Sequence, residues 1–335
     1  MQNAGVKVLR TWGFNAINAS ELAGALESNL TYYQLWNGSD WTLNEGPQGL
    51  QRLDTVVNVA AKHGIKIILA FTNNWVGYGG LELYIDYITP GASAHDVFYT
   101  NAKIQERYIS NIVSRYKNSS SIFAWEMVNE ARCLGDLPAS AACAPGTGTL
   151  AKFYKQTSDF IRSLDAHHLI TTGGEGHFFW KNPVEEDFNL DLTLPNVDFG
   201  TYHMYPQTWY PELDTPGSNF SVEAWGLLWI DAHVKAAQIA NKPLVLEEFG
   251  VTGLANKSEI YPTWVGHALH TKHGGIMPWQ FGMLGLKEDG GNRLIKYADA
   301  LIDGASPNDG FAIYKNQTVW NVFANAAKVQ ASRSV

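Results

Sequence analysis

A (β/α)8 TIM barrel is the fold class that this 335-residue sequence predicts, and three observations predict it. Short apolar runs alternate with amphipathic segments along the chain, the pattern of βαβ units around a parallel sheet. Two of the runs end abruptly in acid: Phe123-Ala124-Trp125-Glu126-Met127-Val128-Asn129-Glu130 and, much further on, Leu244-Val245-Leu246-Glu247-Glu248-Phe249-Gly250. A barrel gathers such C-terminal strand ends at one mouth. The length suits one large unit, and no linker, fixed-period repeat or low-complexity segment interrupts it, so residues 1–335 are expected to form a single domain.

In chain order the strands are expected at Val6–Trp12, Ile65–Thr72, Ser121–Asn129, Leu169–Gly174, Val197–Tyr205, Pro243–Phe249 and Gly275–Phe281. Between them, Leu50, Leu53, Val56, Val57 and Ala60, and then Leu150, Phe153, Tyr154, Thr157, Ile161 and Leu164, recur at helical spacing and mark core-facing stripes. These residues serve packing. Asn3-Ala4-Gly5-Val6-Lys7-Val8 reads as the end of a first helix running into a second strand, so the first barrel strand is expected to be missing from this chain. An open sheet would expose an unpaired edge, and the apolar residues after Asp309 (Phe311 to Tyr314, Val319 to Phe323) are the remaining material to cover it.

The composition, 45% hydrophobic and 17% charged, is that of a protein with a sizeable core. A net charge of −8 without a Lys/Arg cluster excludes nucleic acid as a partner and favours a neutral substrate. Twelve tryptophans, many near strand ends or in loops, suit stacking on flat sugar faces as well as core filling. No apolar run approaches the roughly 18 residues of a membrane span, so no membrane partner is expected, and the protein is expected to be a monomer. Cys133 and Cys143 lie close together in an Ala/Pro/Gly-rich loop; free thiols or half a metal site are the rivals, but no partner ligands flank them and a bridge is expected. Sequons at Asn18, Asn29, Asn37, Asn118, Asn219, Asn256 and Asn316 point to a secreted, extracellular glycoprotein, although Met1 to Gly5 has neither the basic nor the apolar part of a leader.

Double displacement at a glycosidic bond needs one carboxyl that gives a proton to the leaving oxygen and one carboxylate that attacks the anomeric carbon. Glu130 is the candidate acid/base, with Asn129 beside it to bind a sugar hydroxyl. Glu247 and Glu248 compete for the nucleophile, since strand alternation sends only one of them to the mouth. His203 and Tyr205 share a side by the period of two; Tyr205 is placed to donate to the nucleophile, and His203 to bridge acid and substrate. Arg10 is a charge among apolar neighbours, either an aid to an ionised carboxylate or a structural ion pair. Trp279 is a candidate sugar platform.

Leu9-Arg10-Thr11-Trp12-Gly13-Phe14-Asn15, Asn73-Asn74-Trp75 with Tyr78-Gly79-Gly80, Trp125-Glu126 with Asn129-Glu130 and Arg132-Cys133, His203-Met204-Tyr205-Pro206, and Glu247-Glu248-Phe249-Gly250 occur in this order over essentially the whole chain. Together they resemble glycoside hydrolase family 5, in particular its fungal and plant endo-β-1,4-mannanase branch. The resemblance implies a retaining hydrolase of mannan or glucomannan with Glu130 as acid/base and Glu248 as nucleophile. It places Arg10, Asn129, His203, Tyr205 and Trp279 around the cleaved sugar, and Trp75 and Arg132 further along the cleft. Exo-acting β-mannosidase, β-glucanase and a catalytically silent carbohydrate-binding relative are the alternatives. The branch usually has proline where Ala131 stands; losing the ring frees φ at that turn and predicts a less rigidly held Arg132. The segments Trp180–Leu194 and Thr208–Phe220 are expected to be loops that set the number of open subsites.

Gly146-Thr147-Gly148-Thr149-Leu150-Ala151 has the letters of a dinucleotide fingerprint but follows Cys143-Ala144-Pro145 instead of a strand. No serine-hydrolase elbow, Walker loop or zinc-protease helix is present. No cofactor and no metal are expected.

Overall fold

The computed structural model describes residues 1–27, 29–179, 186–218, 220–287, 291–294, 303–307 and 309–333. The sequon at Asn219 and residues 180–185 of the expected Trp180–Leu194 loop lie outside the described residues. The chain divides into two compact units, Lys7–Thr201 and Met1–Val6 with Tyr202–Val335.

Among the described residues there are ten strands: β1 (Val8–Trp12), β2 (Ala16–Asn18), β3 (Gln34–Asn37), β4 (Asp40–Leu43), β5 (Lys66–Ala70), β6 (Ile122–Glu126), β7 (Leu169–Thr171), β8 (Gly200–Met204), β9 (Leu244–Phe249) and β10 (Gly275–Ile276). In the Lys7–Thr201 unit, β1, β5, β6 and β7 form a parallel sheet in that order. Ile67, Ile68, Leu69 and Ala70 of β5 are wholly buried, as a parallel strand covered on both faces demands. The second parallel sheet has the order β10-β9-β8, and every residue of β8 and β9 is buried. All seven expected strands are found, each trimmed by a residue or more at an end.

Backbone pairing continues past the end of β6, which explains why the apolar run reads as a longer strand. Met127 N–H and Val128 N–H donate to Thr171 and Thr172, and Asn129 pairs with Asn73. The helix Leu50–Lys62 buries Leu50, Leu53, Val57 and Ala60, and the helix Thr149–Leu164 buries Leu150, Phe153, Tyr154, Thr157 and Ile161. The expected stripes are therefore core.

One feature was not expected. Residues 16–43 hold a small sheet, β2 parallel to β3 and β3 antiparallel to β4, with the turn at Gly38-Ser39. Gly38 has φ +61°, which a two-residue hairpin turn of this kind favours. Ahead of β1 the chain makes one 3₁₀ turn, Gln2–Ala4, and no strand precedes β1 among the described residues. Near the C-terminus, Ile313 forms a parallel bridge with Phe281, and the helix Trp320–Ala331 packs on the helix Leu254–His270. The apolar material after Asp309 thus extends the edge beyond β10.

Candidate active site

In the Lys7–Thr201 unit Asn129, Glu130 and Arg132 follow the end of β6, Arg10 stands on β1 and Trp75 lies past the end of β5. Glu130 is 9% exposed, and its N–H donates to Gly173 O at 2.8 Å. Its φ of +53° is left-handed, a conformation that costs about 1 kcal/mol or more outside glycine and persists where surrounding structure dictates it. Gly173 allows the close approach, since a Cβ there would lie 2.4 Å from Glu126 Oε1 and 2.5 Å from Val128 O. The Trp75 indole N–H donates to Glu130 Oε2 at 2.6 Å.

Beneath Glu130 runs a chain of charge and amide contacts. The Arg10 guanidinium grips the wholly buried Glu126 with two bonds, at 2.6 and 2.5 Å, and donates to Asn129 Oδ1 at 2.7 Å. Asn129 in turn donates to Asn73 Oδ1 at 2.8 Å. Asn129 thus has its carbonyl and its amide orientation fixed, which is what a residue that binds a particular hydroxyl needs. The ion pair weighed for Arg10 exists, with Glu126 as partner.

Arg132 is held on every side, contrary to the looseness expected from Ala131. Its guanidinium makes two 2.6 Å bonds to Glu175 and lies 4.9 Å from the Trp75 ring centroid. Its N–H is shared by Asn74 Oδ1 at 3.0 Å and the Tyr99 hydroxyl at 3.2 Å. The Cys133–Cys143 bridge closes the next residue. Burial works to lower Arg132's pKa, but the Glu175 carboxylate outweighs it and raises it. Side-chain contacts supply the rigidity that the proline ring would have supplied. Asn74 is itself fixed by His95 Nε2 at 2.9 Å, and His95 Nδ1 lies 2.6 Å from Glu82 Oε1.

In the Tyr202–Val335 unit, β9 delivers Glu247 and Glu248, 1% and 5% exposed. The Tyr205 hydroxyl, just past the end of β8, donates to Glu248 Oε2 at 2.6 Å. His203 Nδ1 is 3.8 Å from that same oxygen, while its Nε2 is 3.7 Å from Glu247 Oε2. His203 therefore lies between the two glutamates, while Tyr205, two residues on, reaches Glu248. His203 is fixed from behind, its carbonyl accepting the Trp229 indole at 2.9 Å. Trp279 donates through its backbone to Phe249 O at 3.0 Å, and its indole to Asp309 Oδ2 at 3.2 Å.

The structure thus brings Arg10, Trp75, Asn129, Glu130 and Arg132 together in one unit, and His203, Tyr205, Glu248 and Trp279 in the other. Glu175 and Asp309 went unnoticed in the sequence; Asp309-Gly310 is a turn signal that could have directed attention to the second.

Buried glutamates at the ends of parallel strands, each held by an aromatic donor, define an α/β protein built for carboxylate chemistry. The model of the GH family 5 beta-mannosidase-like family matches residues 5–263. A probable mannan endo-1,4-beta-mannosidase A-2 of Aspergillus terreus is 37% identical over 94% of this chain and 72% of its own. The mannan endo-1,4-beta-mannosidase A of Emericella nidulans is likewise 37% identical, over 94% of this chain and 72% of its own. Among solved structures, the endo-1,4-beta-mannanase of Rhizomucor miehei gives a TM-score of 0.82 at 29% identity, covering 99% of this chain and 88% of that one. The chain belongs to glycoside hydrolase family 5, in its beta-mannosidase-like group, and is an O-glycosyl hydrolase.

Proposed function

We propose that this protein cleaves β-1,4-mannosidic bonds within mannan and glucomannan by double displacement, with Glu130 as acid/base and Glu248 as nucleophile. One observation carries the assignment: each of two parallel sheets ends in a buried glutamate, one of whose oxygens is fixed by an aromatic side-chain donor. Tyr205 selects Glu248 over its neighbour Glu247. Glu248 attacks the anomeric carbon while Glu130 gives its proton to the departing oxygen. Water then enters, with Glu130 as base, and the configuration is retained. Retention requires the two carboxyls about 5–5.5 Å apart. Asn129 is assigned to the 2-hydroxyl, Arg10 and His203 to the surroundings of the reacting sugar, Trp279 to its platform, and Trp75 with Arg132 to sugars beyond the cleaved bond.

Mannan as substrate rests on the relatives named for that activity. The decisive experiment combines product analysis on mannohexaose with mass spectrometry after a 2-deoxy-2-fluoro mannosyl fluoride. Internal cleavage with retained anomeric configuration and a label on the Glu248 peptide is expected. A label on Glu247 would overturn the nucleophile assignment, and mannan binding without turnover, unaffected by Glu248→Ala, would indicate a silent relative. The family's beta-mannosidase-like description favours one second reading, exo action; release of mannose alone from mannohexaose would establish it, and preference for glucan oligomers would redirect the substrate.

We also infer one (β/α)8 catalytic domain over residues 1–335, in which β1 takes the second strand position. A secreted monomer is the accompanying inference. Among the described residues no helix is long and apolar enough to cross a membrane. Asn29, Asn37 and Asn118 are exposed sequons and the first candidates for glycosylation.

A further inference from the structure

Lys257 is 3% exposed, unusual for a side chain that is almost never fully buried without partners. It rises from the helix Leu254–His270, and its ammonium donates to Gly310 O at 2.7 Å and to Ala312 O at 3.0 Å. Those carbonyls flank Phe311 in the strap that begins at Asp309. Each carboxylate oxygen of Asp309 accepts two bonds. Oδ1 takes the backbone N–H groups of Phe311 and Ala312 at 3.0 and 3.1 Å. Oδ2 takes the Trp279 indole at 3.2 Å and the Gln280 amide at 2.8 Å. The strap is seated by Phe311, whose ring packs so tightly on Gly250 that a Cβ there would lie 2.6 Å from Phe311 Cδ1. Burial pulls the Lys257 ammonium below its ordinary range, and the Asp309 charge works against that.

We propose that Lys257 is a positioning residue of the glycosidase site: its ammonium fastens the 309–312 strap, and through Asp309 it fixes the plane of the Trp279 ring. This rests on Trp279 being the platform for the cleaved sugar. A positive charge is sequestered where two carbonyls alone would repel each other, and the strap's other end is spent on the indole. A platform that tilts loses stacking as the ring flattens toward the oxocarbenium ion, so the loss falls on turnover more than on binding.

The test uses the full chain with mannohexaose, measuring kcat and KM for Lys257→Met and Lys257→Arg, alone and combined with Trp279→Ala. Lys257→Met should lower kcat about 10-fold with KM changed less than about 2-fold, and Lys257→Arg should recover most of the loss. In the Trp279→Ala background the same change should cost under about 2-fold, because residues acting along one path are non-additive. Equal losses in both backgrounds, or parental turnover by folded Lys257→Met, would overturn the proposal. Should Lys257→Met fail to fold, Asp309→Asn reads the same strap from its other end: a comparable kcat loss supports the proposal and parental turnover overturns it. Parental turnover by Trp279→Ala would instead strike at the platform assignment, and at this inference through it; a normal loss there with additive Lys257→Met would overturn this inference alone.

Discussion

The two units support their glutamates by different means. Around Glu130 the Lys7–Thr201 unit is laced with buried charge: Arg10 on Glu126, Arg132 on Glu175, His95 beside Glu82. Around Glu248 the Tyr202–Val335 unit offers a phenol at 2.6 Å and an imidazole at 3.8 Å, with aromatic rings packed behind them. An acid that must deliver a proton to one oxygen needs placement, which charge pairs impose on the backbone and amides around it. A nucleophile must keep its electron pair available, and a neutral donor orients it without the strong claim that a guanidinium makes. The contrast fits the roles proposed for the two residues.

The largest expected effects break the chemistry itself. Glu248→Ala should lower turnover by roughly 10⁴-fold or more on every substrate, with an unchanged circular-dichroism spectrum. Glu130→Ala should lose about 10²–10⁴-fold on mannan but far less on an aryl mannoside with an acidic leaving phenol, because that leaving group needs no proton. Equal sensitivity to the leaving group in both variants would dissolve the distinction between the two residues.

Next come the supports. Arg10→Met removes both guanidinium bonds from the wholly buried Glu126 carboxylate and should destabilise the fold by about 3–5 kcal/mol in urea titration. Tyr205→Phe removes one hydrogen bond and should cost only about 0.5–1.5 kcal/mol of stability, while turnover falls more than stability does. Comparable stability losses would erase the difference between a charged and a neutral support. Cys143→Ser opens the short loop after Arg132 and should cost about 2–3 kcal/mol, read as the same midpoint shift that a reductant produces in the parent.

The smallest effects are in pH. Burial pushes the Asp165 carboxyl up, but the His167 N–H, the Trp125 indole and His168 outweigh it and bring it down to about 2. Its contribution is complete above the ordinary carboxylate range near pH 4 and is lost as pH falls toward 2. Burial lowers His273 to about 4, where Tyr202 donates to its Nε2. The unfolded chain binds a proton there near pH 6.5 and the folded chain does not, so stability declines between pH 6.5 and 4. His273→Gln should flatten the milder limb of an unfolding-versus-pH curve and Asp165→Asn the more acidic one. Loss of the same limb in both variants would refute the separation.

The strands of the two parallel sheets were legible because strands buried on both faces are near-continuous apolar runs, as Ile67 to Ala70 and Leu244 to Leu246 are. The small sheet of residues 16–43 was not, because its strands have only three or four residues, too few for a period to stand out. Glu130 and Glu248 stood out as acids closing apolar runs. The contacts that steady the candidate residues, such as Arg10 on Glu126, Glu175 on Arg132 and Asp309 on Trp279, join side chains remote in sequence, and their roles exist only once the fold makes those side chains neighbours. Ala131 misled for the same reason, since the contacts that steady Arg132 come from Asn74, Tyr99 and Glu175.

In the proposed mechanism, the indole that faces Glu130 distinguishes the two oxygens of its carboxyl. A pyrrole-type N–H has a hydrogen to offer and no lone pair to accept one, so Oε2, which it meets at 2.6 Å, serves as the acceptor and the transferable hydrogen belongs on Oε1. In that mechanism the proton is delivered from one edge of the carboxyl, and the bridging oxygen of the glycan has to lie toward it.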